Sequence, residues 1–481
     1  MKVRRLNQMT TDEVAALKRR SGLDIEGLLS SVKPVVEDVK SRGDAALLEY
    51  TARFDGVRLS SAELQVSLEE IKRAYDQVNP ETMNAFRQSA RNVRRFQEQS
   101  ISNLAQPGSP DPGQKRGFDN PLGAILDPLN MPEGQRPKPC PEPRRRAVEG
   151  MWLTEIVEGV LVGQRVTPIE SVGLYVPGGK GDFPSVMLML GICAQVAGVR
   201  KVVACTPPTA EGCVNSGTLV AADLAGVTEI YKVGGAQAVA AMAFGTETVP
   251  QVDKILGPGG PYVAAAKQLV AGVVDVGTVA GPSEAIVLAD SEADPWNVAL
   301  DLLVQGEHGE DAASLLVTHS QELIEGVQET LPTLLAELPD ERRQICESVL
   351  SKYGGAILTE SLAQSIEFVN DYAPEHLQLA VHNPLVVLSR IRNAGTILLG
   401  QRTTFTFGDF SLGPTNVIPT GGFAKVQSPV SVHDFLKHNS VCYVLDRPGF
   451  DALAEGSAAF AEYEGFLAHA MAVRRRDEAT S

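Results

Sequence analysis

Four short stretches of the 481-residue chain carry side chains whose types and spacing could do chemistry. Gln305 and His308 stand three apart at the end of an apolar run, so both leave one face of a helix's last turn. An amide oxygen and an imidazole there look like half of a metal site, although such a pair at a helix end more often caps it or faces solvent. Glu375 and His376 adjoin after Pro374, an acid and an imidazole in a turn between a helix and a strand. Those are residue types that take and deliver protons near neutral pH. Gly408-Asp409 lies in an irregular run, and His469 follows Glu464 in the tail. Taken singly, an Asp after a Gly forms turns, a lone His on a helix sits at the surface, and Ser283 satisfies a turn. The pieces gain meaning only when read jointly.

The elements that must position them follow from local patterning. Asp294 reads as an N-cap and Pro295 as the first helical residue; Val298, Ala299, Leu302 and Leu303 recur at helical spacing, and Gly309 offers a left-handed stop. Further upstream, Thr10-Thr-Asp-Glu13 is a capping box opening a helix that ends near Gly22. Residues 24–102 read as helices broken near Gly43, Gly56 and Pro80, and 104–148 is proline-rich and aperiodic, an insertion or long loop. Strands are expected over Glu155–Val160, Leu161–Val166 and Val172–Val176. Strand–turn–helix units then start at Lys201, Ile230 and Lys254, as in a parallel sheet with crossover helices. Their glycine-rich turns lie at the carboxyl ends of strands, where such sheets bind ligands, but no Gly-x-Gly-x-x-Gly is present. A second alternating stretch runs from Ala285 to Leu399, an irregular run covers Thr403–Thr420, and helices are expected over Val432–His438 and Phe450–Arg476, interrupted near Gly456 and Gly465.

Size and charge narrow the function. A chain this long implies two or more domains. The formal charge of −16 argues against nucleic acid, whose binding needs clustered Lys and Arg. No apolar run is long enough to cross a bilayer, and no apolar segment follows the basic Met1–Arg5 start. Six cysteines are scattered without a Cys-x-x-Cys pair, which suits a reducing cytoplasm. All seven histidines, His308 to His469, lie in the last two-fifths of the chain.

Five segments, in order, resemble those of the histidinol dehydrogenase family: Ser171-Val-Gly-Leu-Tyr-Val-Pro-Gly-Gly179, Val233-Gly-Gly-Ala-Gln-Ala238 with Ala243-Phe-Gly245, Val279-Ala-Gly-Pro-Ser-Glu284, Leu303-Val-Gln-Gly-Glu-His-Gly309 and Tyr372-Ala-Pro-Glu-His-Leu377. The resemblance covers most of residues 8–477. It implies a zinc- and NAD-dependent oxidation of L-histidinol to L-histidine, with one zinc per subunit. Residue by residue, it implies Gln305, His308, Asp409 and His469 as metal ligands and Glu375-His376 as the acid/base pair. Substrate contacts would come from Ser283, His376, Glu464 and the metal ligands, and dinucleotide contacts from Tyr175, Gln237 and the Gly260 position. It also implies a homodimer in which the tail completes the partner's site.

Three departures stand out. Asn416 occupies a position where the family carries a histidine, Gly260 one where it carries an asparagine, and 104–148 has no usual counterpart. Relatives that oxidise other small alcohols, such as a sulfonated propanediol, are the alternative. The expected architecture is α/β, with two Rossmann-like parallel-sheet domains, a helical N-terminal arm and a helical, domain-swapped C-terminal tail. Its expected parts are the arm at 1–27, a first sheet domain from 28–174 and 283–428, a dinucleotide-binding domain at 175–282, and the tail at 429–481.

Overall fold

The computed structural model describes residues 1–19, 25–104, 150–178, 181–278 and 280–476. Residues 105–148 of the proline-rich segment and the helix stop expected near Gly22 lie outside the described residues. By chain contacts the protein divides into two units, Met1–Gln99 with Ile169–Phe435, and Ser100–Pro168 with Leu436–Ser481.

In chain order the strands are β1 (Val3–Arg5), β2 (Gly150–Val157), β3 (Val160–Pro168), β4 (Ser171–Tyr175), β5 (Lys201–Thr206), β6 (Glu229–Lys232), β7 (Lys254–Leu256), β8 (Glu284–Ala289), β9 (Ala313–Thr318), β10 (Gly355–Leu358), β11 (His376–Ala380), β12 (Thr396–Leu399) and β13 (Leu436–Val444). The larger unit holds two parallel sheets, a six-stranded one in the order β1-β10-β9-β8-β11-β12 and a four-stranded one in the order β6-β5-β4-β7. β8, β9, β10 and β11 are buried at every position, which is how strands covered by helices on both faces read.

Each sheet reverses direction once. In the six-stranded sheet the chain steps outward from β8 to β9 and β10, then returns to lay β11 on the other side of β8. In the four-stranded sheet it steps from β4 to β5 and β6, then returns with β7 beside β4.

The capping box at Thr10 forms as expected, with Glu13 accepting from the Thr10 amide at 2.8 Å and Thr10 Oγ1 accepting from that of Glu13 at 3.2 Å. The helix breaks at Gly43 and Gly56 also form, both at positive φ.

Several expectations fail for identifiable reasons. The N-terminal arm is not only helical, because Val3–Arg5 pairs with β10 as the sheet's edge strand. The Ile25–Arg42 helix buries Val32, Val36 and Val39 against Val239, Ala243 and Val270 of the four-stranded layer rather than against the six-stranded sheet. The boundary expected at 174/175 falls inside β4. The tail is not all helix either. Only Val432–Phe435 turns, as a 3-10 segment, before β13 runs antiparallel to β3 in a three-stranded sheet with β2. The helix after it, Arg447–Tyr463, passes through Gly456 unbroken and stops before Gly465.

Candidate active site

In a parallel sheet each crossover helix runs back against its strand, so helix C-termini gather at the amino edge of the strands. That geometry brings most of the singled-out residues of the six-stranded sheet together. Ser283 precedes β8, and Glu375 precedes His376, the first residue of β11. The Pro295–Gly306 helix after β8 delivers Gln305, and the Phe405–Phe410 helix after β12 delivers Asp409 in its last turn. Asp409 therefore sits on a short helix, where an irregular run was expected.

The Gln305 helix begins as the sequence predicts, with the Asp294 carboxylate accepting from the Trp296 amide at 2.9 Å and Pro295 at the first position. It is tied to the Asp409 helix by Thr404 Oγ1, which donates to Asp301 Oδ1 at 2.7 Å. Gln305 lies one turn beyond Asp301 on the same face. Between the Leu362–Tyr372 helix and β11 the chain reverses in three residues, with Ala373 in the left-handed region at φ 54°. That tight reversal sets the direction in which Glu375 and His376 enter the edge.

The pair is buried, with Glu375 5% and His376 4% exposed. His376 Nε2 stands 3.2 Å from Asp409 Oδ1, and its Nδ1 3.6 Å from Glu375 Oε2. The Phe405 ring meets the imidazole edge-on at 5.8 Å. Burial by itself favours the neutral ring, but the carboxylates of Glu375 and Asp409 outweigh it and raise the imidazole's pKa well above its ordinary value. Glu375 is held in turn, because its Oε2 accepts the backbone N–H of Glu284 at 2.8 Å.

Gln305 is fully buried, and neither its amide oxygen nor its amide nitrogen has a hydrogen-bond partner. A buried amide left in that state costs about 1–3 kcal/mol, so the site accommodates something that would bond to it, and a metal ion accepting its oxygen fits. His308, three residues on, is exposed, and among the described residues no group of three His, Cys, Asp or Glu side chains is already arranged to hold a metal ion. Asn416 borders the same edge. Its Nδ2 donates to Ser185 Oγ at 3.0 Å and to the Asp409 carbonyl at 3.3 Å. A carbonyl can only accept, so the amide orientation is set and leaves Oδ1 buried without a partner.

The candidate dinucleotide residues lie at the opposite kind of edge, the carboxyl ends of the four-stranded sheet. Tyr175 ends β4, and its hydroxyl accepts the Gly235 N–H at 3.1 Å, while burial pushes its pKa up to about 12. Gln237 is buried near the start of the Gly235–Phe244 helix, which follows β6, with both amide atoms unpartnered. Gly260 caps the Pro261–Val270 helix, and a Cβ placed there would meet nothing within 4 Å. A cavity of about 320 Å³ adjoins this turn, lined by Gly257, Gly259, Val263, Lys267, Thr278 and Phe423. Lys267 was not singled out in the sequence. Its buried Nζ donates to the Gly257 carbonyl at 2.6 Å, and burial lowers its pKa to about 8. The signal that would have found it is a lysine sharing a helix face with the buried Val263 and Val270.

Glu464 and His469 belong to the second unit. Both are exposed there, and the His469 ring lies 5.4 Å from that of Phe466.

Comparisons with known proteins agree on one family. A family model described as histidinol dehydrogenase matches residues 18–116 and 142–477, so its gap falls within the proline-rich segment. A Synechocystis sp. protein described as histidinol dehydrogenase is 44% identical over 476 residues, covering 99% of each chain. A Colwellia psychrerythraea protein described as a histidinol dehydrogenase homolog is 40% identical, covering 100% of this chain and 97% of its own. A crystal structure of histidinol dehydrogenase from Elizabethkingia anophelis superposes with a TM-score of 0.84 at 33% identity, covering 100% of this chain and 98% of that one.

Proposed function

Because the chain belongs to the histidinol dehydrogenase family, we propose that it oxidises L-histidinol to L-histidine through the aldehyde, using zinc and two NAD. The observation that carries this reading is His376, buried between Asp409 at 3.2 Å and Glu375 at 3.6 Å. Gln305, His308, Asp409 and His469 of the partner subunit would hold the metal, two oxygens and two imidazoles that suit zinc. When bound, zinc orients the nitrogen donors of the alcohol and NAD accepts hydride.

The chain's own residues do the rest. His376, left neutral once a cation on Asp409 draws off that carboxylate's charge, would take the hydroxyl proton, and the Glu375 carboxylate stabilises the imidazolium so formed. Glu375, with one oxygen fixed by the Glu284 amide, directs water onto the aldehyde so that a second oxidation can follow. Ser283 and Glu464 supply hydrogen bonds to the substrate. Tyr175 and Gln237 meet the dinucleotide, with the unpartnered amide of Gln237 supporting that role.

The site is completed by a second copy of the chain. Glu464 and His469 stand among exposed apolar side chains, Phe460, Tyr463 (93% exposed), Phe466 and Leu467, a face of the kind that a partner subunit covers. The reaction is placed in the cytoplasm, which suits the free cysteines; among the described residues no helix is long and apolar enough to cross a membrane.

The test is stoichiometric. Zinc-loaded protein is expected to yield two NADH per L-histidinol, and failure to consume L-histidinol would remove this substrate. Asn416 supports a second reading within the family, since its buried, unpartnered Oδ1 beside Asp409 calls for a hydrogen-bond donor. A small polyol such as a sulfonated propanediol would provide one. Turnover of a polyol panel without response to L-histidinol selects that reading.

A further inference from the structure

Glu284 opens β8, yet the residue is only 2% exposed. A carboxylate taken out of water persists only where hydrogen bonds replace its hydration. Glu284 Oε1 accepts the Gly421 N–H at 2.8 Å, and three residues earlier the Gly281 N–H donates to Thr420 Oγ1 at 2.7 Å. Two crossing hydrogen bonds therefore clamp the segment Gly281–Glu284 to Thr420–Gly421. Gly421 and Gly422 both hold left-handed conformations, at φ 65° and 83°, which glycine adopts without a steric penalty, so the loop can turn back to meet the segment.

The backbone of Glu284 faces the chemistry. Its N–H donates to Glu375 Oε2 at 2.8 Å, the oxygen that lies 3.6 Å from His376 Nδ1. A shift of the Glu284 peptide would therefore move the Glu375 carboxylate against the imidazole. We infer that Glu284 is a positioning residue for Glu375, its side chain anchoring β8 to the Thr420–Gly422 loop so that its backbone amide holds the Glu375 carboxylate in register with His376. The inference rests on the functional reading above for the task of Glu375, while the clamp itself can be tested without it.

Wild-type turnover is measured first, and a wild type that oxidises no alcohol of the histidinol and polyol panel defeats the functional reading alone. Glu284→Ala removes the acceptor of the Gly421 N–H but keeps the backbone donor to Glu375. Since misplacement by about 1 Å can cost about a hundredfold, kcat is expected to fall roughly ten- to a hundredfold with KM for NAD little changed. Glu284→Gln keeps an acceptor and is expected to recover most of kcat. Hydrogen exchange supplies the readout independent of activity, with the amides of Glu284 and Gly421 exchanging faster in the Ala variant and near wild-type rates in the Gln variant. If Glu284→Ala does not fold, Thr420→Val removes the other half of the clamp and is expected to lower kcat and quicken exchange at Gly281 and Glu284. Wild-type kcat and wild-type exchange in whichever of Glu284→Ala and Thr420→Val folds would overturn the inference. So would a Gln variant as impaired as Ala in both measurements.

Discussion

The two parallel sheets of the larger unit present their candidate chemistry at opposite edges. The six-stranded sheet gathers Ser283, Glu375 and His376 at the amino ends of β8 and β11, where the helices carrying Gln305 and Asp409 terminate. The four-stranded sheet gathers Tyr175, Gln237 and Gly260 at its carboxyl ends, where helices begin at Gly235 and Pro261. Helix C-termini carry partial negative charge and favour a cation or an imidazolium, whereas helix N-termini present free N–H groups and favour an anion such as a dinucleotide's pyrophosphate. One α/β architecture thus offers two electrostatically opposite surfaces. Which edge is used matters more than which fold it belongs to.

If the edges divide the work in this way, damage at one should leave the other intact. The largest effect is expected from His376→Ala, which should lower kcat by about 10³-fold while the NAD dissociation constant stays within twofold. Steady-state kinetics with a binding titration would check it, and a parallel loss of NAD affinity would break the division. Gln305→Leu comes next. Zinc affinity should fall by at least about a hundredfold in a metal-content titration. The metal-free variant should be no less stable than wild type, because replacing an unpartnered buried amide with an apolar group removes a cost.

A third prediction concerns Lys267 at the carboxyl edge, whose folded pKa of about 8 lies below the ordinary 10.5. Between those values the unfolded chain binds more protons than the folded one, so this residue makes stability rise with pH from about 8 to 10.5. The rise should amount to about 3 kcal/mol. Denaturant unfolding across that range should show this slope in the wild type and lack it in Lys267→Met; equal slopes would show that the ammonium is not held as described. The smallest effect is expected from Gly260→Asn. The position has room for a side chain, so the fold should tolerate it. One added hydrogen bond should tighten NAD by roughly fivefold without changing kcat, as a binding titration would show.

Much of this was legible in the chain. The Asp294 cap, the Pro295 start and the apolar spacing announced the helix that carries Gln305, and the Glu375-His376 pair was placed correctly between a helix and a strand. Elements with weak local signals were missed. β1 is three residues long and gains its place only by pairing with β10. The Phe405–Phe410 helix is six residues, too short for periodicity to register, so Asp409 read as part of a loop. β13 is exposed along most of its length, so it lacks the alternation of buried and exposed residues that marks a strand. Glu284 stood within a recognised segment, yet its role went unread. An acid opening an otherwise apolar run, Glu284-Ala-Ile-Val-Leu-Ala289, was the available clue.

The sequence by itself determined the residue types able to move protons or hold a cation, the local elements that carry them, and the family likeness. Only the tertiary structure decided which edge of each sheet they share. The Glu284 amide reaches a carboxylate 91 residues away, and the Glu284 side chain reaches an amide 137 residues away. Period and propensity report whether a segment forms a strand or a helix. Parallel strands are joined only through long crossovers, so the order of neighbours across a sheet leaves no imprint on any local stretch of chain.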